Sequence, residues 1–163
     1  MNKINNFISV VMSTYNNEST IEKSINSLLS QTYQNFEILI MDDASTDDTY
    51  KICNNIASKS NKIKIYRNSN NIGLTKSLNL LIKESKAELI ARSDADDYSK
   101  TNRFELQLDY LIKNNVDACS TRAYEIDSKR IIPGFSYYVP IEILIKDKNP
   151  FVHGTPLIKR NVL

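Results

Sequence analysis

The sequence predicts an α/β fold: a mostly parallel sheet with helices on both faces. Short, nearly continuous apolar runs recur along the chain, as strands covered on both faces do. Between them, apolar residues fall at i, i+4, i+7 and i+8, the spacing of one helical face. Strict alternation of the two patterns favours parallel strands joined by right-handed crossovers.

Residues 8–12 form the first such run, ended by Ser13-Thr14-Tyr15-Asn16-Asn17. Ile21, Ile25, Leu28 and Leu29 then mark the inward face of a helix, with Asn16, Asn17 or Ser19 available as its N-cap. Residues 36–41 read as the second buried strand, 42–48 as a loop and capping segment, and 49–58 as a helix with Ile52 and Ile56 inward. Ile63, Ile65 and Tyr66 suggest a third strand. After the Asn70-Asn71-Ile72-Gly73 turn, Leu74, Leu78, Leu81 and Ile82 repeat the helical spacing. A short strand follows over 88–91, and Phe104, Leu108, Leu111 and Ile112 show the spacing once more. Beyond Asp117 the pattern predicts a strand over 118–121, a hairpin through Ser128-Lys129, a polar aromatic stretch at 135–138 and a helix at 140–145.

A chain of 163 residues, 41% apolar and 25% charged, fits one globular domain spanning residues 1–163. Its 21 basic and 19 acidic residues leave a net charge of +2 with no dense basic stripe, which argues against nucleic acid as a partner. The two cysteines lack CxxC spacing, so neither a zinc knuckle nor a disulfide framework is predicted, and a cytoplasmic setting is expected. The first residues are too few and too polar for a signal peptide. No apolar run approaches the roughly 20 residues of a membrane helix, so no transmembrane segment is expected. Three scattered glycines cannot supply the GxGxxG of a dinucleotide oxidoreductase.

Ligands of open parallel sheets bind beyond the carboxyl ends of the strands. Here the first strand runs into Ser13 and Tyr15, the second into Asp42 and Asp43, and the fourth into Ser93-Asp94-Ala95-Asp96-Asp97. Carboxylates gathered on one edge repel one another unless a cation lies near them. An Asp-x-Asp loop supplies hard oxygen ligands suited to Mg²⁺ or Mn²⁺, which also take phosphate oxygens, and so points to a diphosphate substrate. The competing reading is a solvated turn that caps a helix. Position after a buried strand, beside a second acidic pair, favours a site; Asp47 and Asp48 are better explained as caps. Tyr15 either packs on the sheet edge or offers an aromatic platform. Lys76 and Arg103 stand at helix starts facing the same edge, where a phosphate meets both dipole and cation, or they are surface charge. His153, the sole histidine, is a candidate catalyst or a hydrogen-bonded structural residue.

Four ordered motifs carry a resemblance: residues 9–16 (SVVMSTYN), 42–49 (DDASTDDT), 71–74 (NIGL) and 94–97 (DADD). Together they resemble the family 2 glycosyltransferases, with further likeness over 103–107 and 153–163. The resemblance implies the GT-A (Rossmann-like) fold and a nucleotide-diphosphate-sugar donor, usually of uridine. It implies that Ser13 and Tyr15 line the base pocket and that Asp43 accepts a hydrogen bond from the base. Asp94 and Asp96 would be the metal-binding pair, with Asp96 nearest Mn²⁺ or Mg²⁺, Asp94 approaching the ribose or sugar, and Asp97 sharing either duty. Lys76 and Asn79 would lie near the donor, and Arg103 among the substrate-binding residues. The implied reaction inverts the anomeric centre as sugar passes to a glycan or lipid-linked acceptor in polysaccharide biosynthesis, at the inner membrane face. In the family, the carboxylate base usually belongs to a segment that would follow Leu163, which leaves the base unassigned.

The alternative within this reading is a non-catalytic nucleotide-sugar-binding module. A phosphotransfer receiver would want a lysine ending a later strand, and none follows residues 118–121. A haloacid-dehalogenase-type phosphatase would want DxDxT after its first strand.

Overall fold

The computed structural model describes residues 6–133 and 152–163. In chain order its elements are β1 (Ile8–Thr14), α1 (Ile21–Leu29), β2 (Phe36–Asp42), α2 (Thr49–Ala57), β3 (Ile63–Arg67), α3 (Leu74–Glu84), β4 (Leu89–Arg92), α4 (Arg103–Asn114), β5 (Ala118–Cys119), β6 (Ala123–Glu125), β7 (Arg130–Ile132) and β8 (Leu157–Lys159). A single 3-10 turn, Arg160–Val162, follows.

Six strands form one sheet in the order β3-β2-β1-β4-β8-β5. The pairs β1·β2, β1·β4 and β2·β3 are parallel, whereas β8 runs antiparallel to both β4 and β5. Strand order grows outward from β1 on one side and then jumps to β4 on the other. That reversal opens a crevice between the carboxyl ends of β1 and β4, the place where doubly wound sheets bind ligands.

Alternate residues of each strand serve opposite faces. Ile8, Val10 and Met12 of β1, with Ile38 and Ile40 of β2, pack under α1, α2 and α4 through Ile21, Ile25, Leu28, Cys53, Ile56, Phe104, Leu108 and Leu111. Val11, Leu39, Met41 and Ile90 turn to the other face, where Leu78 and Leu81 of α3 cover them. Lower on that face Ser9 donates to Glu37 at 2.7 Å and Lys64 pairs with Glu37 at 2.8 Å, so a buried carboxylate keeps both oxygens partnered.

The helical code names the right helices but overfills their apolar stripes. Leu74 and Ile112, assigned inward by spacing, are 48% and 51% exposed: Leu74 is the first residue of α3, and Ile112 follows the buried Leu111 on the outward side of α4. In α2 the inward positions are Thr49, Cys53 and Ile56, with Ile52 at the margin of the core. Neither Asn16, Asn17 nor Ser19 caps α1; its N-cap is Thr20, and no side chain makes the cap bond. The predicted strand at 118–121 is shorter, Ala118–Cys119, and β8 was not anticipated. The hairpin through Ser128-Lys129 is present as β6·β7. The stretches predicted at 135–138 and 140–145 lie outside the described residues.

Leu81 is fully buried, so Leu81→Ala should lower unfolding free energy by about 3 kcal/mol, the usual cost of lost transfer energy plus cavity. Leu74→Ala, at a position given the same weight by periodicity, should change it by less than about 0.5 kcal/mol. Urea unfolding of both variants measures the difference, and equal losses would contradict the packing of α3 described above.

Candidate functional site

The crevice is bounded by the loops after β1, β2 and β4, and the first two are tied together. Asn16 N–H donates to Ser45 Oγ at 3.0 Å, and Asn16 Oδ1 accepts from Thr46 N–H at 2.9 Å. Asn17 N–H donates to Thr49 Oγ1 at 2.8 Å. Glu18 N–H donates to Asp47 Oδ2 at 3.2 Å, and Asp48 N–H donates to Glu18 Oε2 at 2.9 Å. Asp47 also accepts from Thr49 N–H at 3.0 Å just ahead of α2, but the N-cap of that helix is Asp48 and no side chain makes the cap bond, so the expected capping by this pair is corrected. Burial opposes the ionisation of Asp47, but these hydrogen bonds outweigh it and hold the carboxyl below the usual range. Tyr15 emerges from this frame 46% exposed, with Ser13 half-buried behind it on β1.

The adjacent aspartates of β2 turn to opposite sides. Asp42 has no exposure; its Oδ2 lies 3.1 Å from Arg67 Nε and accepts from Ser45 N–H at 3.3 Å. The same guanidinium donates to Ser45 O at 3.0 Å and lies over the Tyr50 ring at 4.3 Å. Asp43, 2% exposed, faces α3: Oδ1 accepts from Asn68 Nδ2 at 2.7 Å and Ile72 N–H at 2.9 Å, and Oδ2 from Gly73 N–H at 2.8 Å. Desolvation raises its pKa, but the bonds from Ile72, Asn68, Gly73 and Ser77 together lower it below the ordinary 3.8. The five carboxylates stand at the strand ends of one edge as expected, but Asp42 meets Arg67 and Asp43 meets Asn68, Ile72 and Gly73, so these two do not call for a shared cation.

The three aspartates after β4 remain close to one another. Asp97 is held above the ordinary carboxylate range first by desolvation and then by the charges of Asp94 and Asp96, with Arg103 and Arg92 opposing. Asp94 is clamped by Arg92, whose Nε and Nη2 donate to Oδ1 and Oδ2 at 2.9 and 3.2 Å. Its carbonyl accepts from Ser24 Oγ at 3.0 Å, which fixes the loop to α1. Asp96 is exposed. Gly154 closes against this loop: a Cβ there would overlap the Asp97 carboxylate and lie 3.1 Å from Asp94 Oδ2. The exposed His153 is thereby carried to the rim of the acidic loop. Among the described residues no three His, Cys, Asp or Glu side chains converge in a metal cage.

Arg103 has a different position from the one its sequence context suggests. It is 6% exposed and donates to Arg92 O at 2.7 Å, Ser99 Oγ at 3.0 Å and Gln107 Oε1 at 3.1 Å. Burial pushes its guanidinium down to about 10, with Asp97 and Asp94 acting in the opposite sense. It braces the base of the acidic loop from within. The N-terminus of α4 is also occupied, since Phe104 N–H donates to Gln31 Oε1 at 3.1 Å. Lys76 and Asn79 are exposed on α3. Sequence reasoning missed Arg92, Asn68 and Gly154. Arg92 was findable, because two residues before Asp94 along a strand lies on the same side of the pleat.

These strand ends match known proteins. The family model described as "Glycosyl transferase family 2" matches residues 9–158. The chain belongs to this family. EpsE of Bacillus subtilis (strain 168), provisionally named a glycosyltransferase, is 36% identical over 159 residues, covering 93% of this chain and 56% of EpsE. The Escherichia coli UDP-Glc:alpha-D-GlcNAc-diphosphoundecaprenol beta-1,3-glucosyltransferase WfgD is 35% identical over 128 residues, covering 78% of this chain and 49% of WfgD. The crystal structure of S. aureus TarS 1-349 in complex with UDP-GlcNAc superimposes with a TM-score of 0.82 at 25% identity, covering 96% of this chain and 46% of TarS. The family 2 chain described here has the GT-A fold and spans about half the length of these curated relatives. Among its described residues no helix is long and apolar enough to cross a membrane.

Because the folded pKa of Asp43 is depressed, its ionised form stabilises the family 2 fold fully above about pH 4. That contribution is lost as pH falls from 3.8 through the lower folded value. Asp43→Asn, which sets an amide N–H against a backbone donor, should be less stable than wild type at pH 7 by about 1–3 kcal/mol. The gap should narrow at pH 3; urea midpoints at both pH values test this, and a pH-independent gap contradicts it.

Proposed function

We propose that this chain is the donor-binding part of an inverting glycosyltransferase that takes a nucleoside diphosphate sugar, with uridine as the base. The carrying observation is the Asp94-Ala95-Asp96-Asp97 loop at the switch point between β1 and β4, which gathers three carboxylates; desolvation first, and then the charges of Asp94 and Asp96, hold the Asp97 carboxyl above its ordinary range. A loop with excess negative charge and hard oxygens fits Mg²⁺ or Mn²⁺, so the donor set is compatible with a divalent cation.

Asp96 and Asp97 would hold that ion, and Asp94, already clamped by Arg92, would face the ribose or sugar. When bound, the ion would neutralise charge developing on the departing diphosphate. Tyr15 and Ser13 would line the base pocket, with the base stacking on the Tyr15 ring. Asp43 would reach the base only through lone pairs not used by Asn68, Ile72 and Gly73, and Lys76 and Asn79 would flank the donor from α3. His153 would stand beside the reacting end. WfgD is named for a diphosphoundecaprenol-linked acceptor and TarS is known with UDP-GlcNAc, which supports a uridine-linked donor and a glycan or lipid-linked acceptor.

Calorimetric titration with uridine diphosphate tests the reading. Binding is expected with Mn²⁺, falling more than about tenfold after chelation or in Asp96→Ala, the loss of one strong charged contact. Affinity that ignores both changes would sink the metal-dependent reading.

A further inference from the structure

We infer that Asn17, together with Asn16, is a positioning residue that fixes Tyr15 as the stacking surface for the base; this rests on the reading of the site just given. An aromatic ring on an exposed loop can support a base well only if its backbone is already ordered, since ordering it on binding subtracts from affinity. Tyr15 is 46% exposed, so burial of its own ring does not supply that order.

Asn17 supplies it from one side. Its Oδ1 accepts from Tyr15 N–H at 3.2 Å and from Thr14 Oγ1 at 3.0 Å, which folds Thr14 and Tyr15 around one side-chain oxygen. Its own N–H is held by Thr49 Oγ1 at 2.8 Å, at the buried start of α2. Its carbonyl accepts from Thr20 and Ile21 N–H at 3.0 and 2.9 Å, where α1 begins. Three parts of the structure therefore meet at one residue.

Asn16 supplies the other side. It has φ 53°, a left-handed conformation that asparagine tolerates better than most residues. In that conformation its N–H reaches Ser45 Oγ at 3.0 Å, while its Oδ1 accepts from Thr46 N–H at 2.9 Å and from Thr46 Oγ1 at 3.3 Å. Ser45 is itself fixed by Asp42 through its own N–H, at 3.3 Å. The ordinary alternative for an asparagine before a helix is the N-cap, and α1 uses Thr20 there with no side-chain cap bond. Both side-chain oxygens instead hold the residues around Tyr15.

The test compares two ligands in the presence of Mg²⁺: uridine diphosphate, which has a base, and inorganic pyrophosphate, which has none. Asn17→Ala should weaken uridine diphosphate about tenfold, within the range that base–aromatic stacking contributes, while pyrophosphate stays within about twofold of wild type. Asn17→Asp retains the accepting oxygen and should recover most of the lost affinity relative to Asn17→Ala. If Asn17→Ala does not fold, Asn16→Gly, which keeps the left-handed backbone and deletes only the side-chain acceptor, carries the same split between ligands. Unchanged uridine diphosphate affinity, or an equal fall for both ligands, overturns the inference. Failure of the wild-type chain to bind uridine diphosphate at all is a separate result and overturns the reading of the site beneath it.

Discussion

A carboxylate with almost no exposure stays ionised only where donors replace the water it has lost, and Asp43 shows what this demands of its surroundings. Removing the charge from water is opposed by several kcal/mol, while each hydrogen bond to a charged group returns about 1.5–3 kcal/mol. Bonds from Asn68, from Ser77 and from the backbone N–H groups of Ile72 and Gly73 at the entrance to α3 together make the arrangement favourable. Satisfying Asp43 brings the turn after β3 up to the end of β2. Gly73 allows it, because φ 90° at this position suits a residue without a side chain. Once the turn is held, α3 has one direction available, across Val11, Leu39, Met41 and Ile90.

Much of this was legible in the sequence because the strands are buried on both faces. Continuous apolar runs have no other simple explanation when Asp, Asn or Ser ends them, and β1 and β2 differ from their predicted spans only by one or two polar residues at the carboxyl end. Of those extra residues, Thr14 and Asp42 are themselves buried and paired in register, which a hydrophobic pattern cannot reveal. The helices were found for the same reason, but periodicity says only which way a side chain points. It does not say how wide the buried stripe is or where it ends, and so Leu74 and Ile112 were placed inside while Cys53 was overlooked. The antiparallel β8 has three residues, too few to show any period.

The site was legible as a set of strand ends and opaque as a set of partners. Position at the strand ends of one edge suggested that Asp42 and Asp43 act with the later aspartates. A strand sends neighbouring side chains to opposite faces, however, and each of the two meets its own counterpart, Arg67 for one and the α3 turn for the other. Arg103 was misjudged by the opposite error. A charged residue at a helix start reads as ligand-facing, yet this one enters the core because the carbonyl of Arg92 and the side chains of Ser99 and Gln107 are positioned to receive it.

The strand-end aspartates thus divide into two electrostatic populations with different chemical capacities. Asp42, Asp43 and Asp47 have their charge met by an arginine or by backbone and amide N–H groups, so what they offer a ligand is geometry. Asp94, Asp96 and Asp97 share two arginines among three carboxylates. One of those arginines, Arg103, is drawn inward to hold a carbonyl, so it compensates at a distance rather than in contact. Gly154 tightens the crowding by letting the chain approach where any other residue would push Asp97 away. Such an arrangement is poorly balanced as part of a fold: the excess negative charge stays in one loop, while Asp43 and Asp47 beside it are matched by hydrogen bonds and Asp42 keeps one oxygen, Oδ1, without a partner.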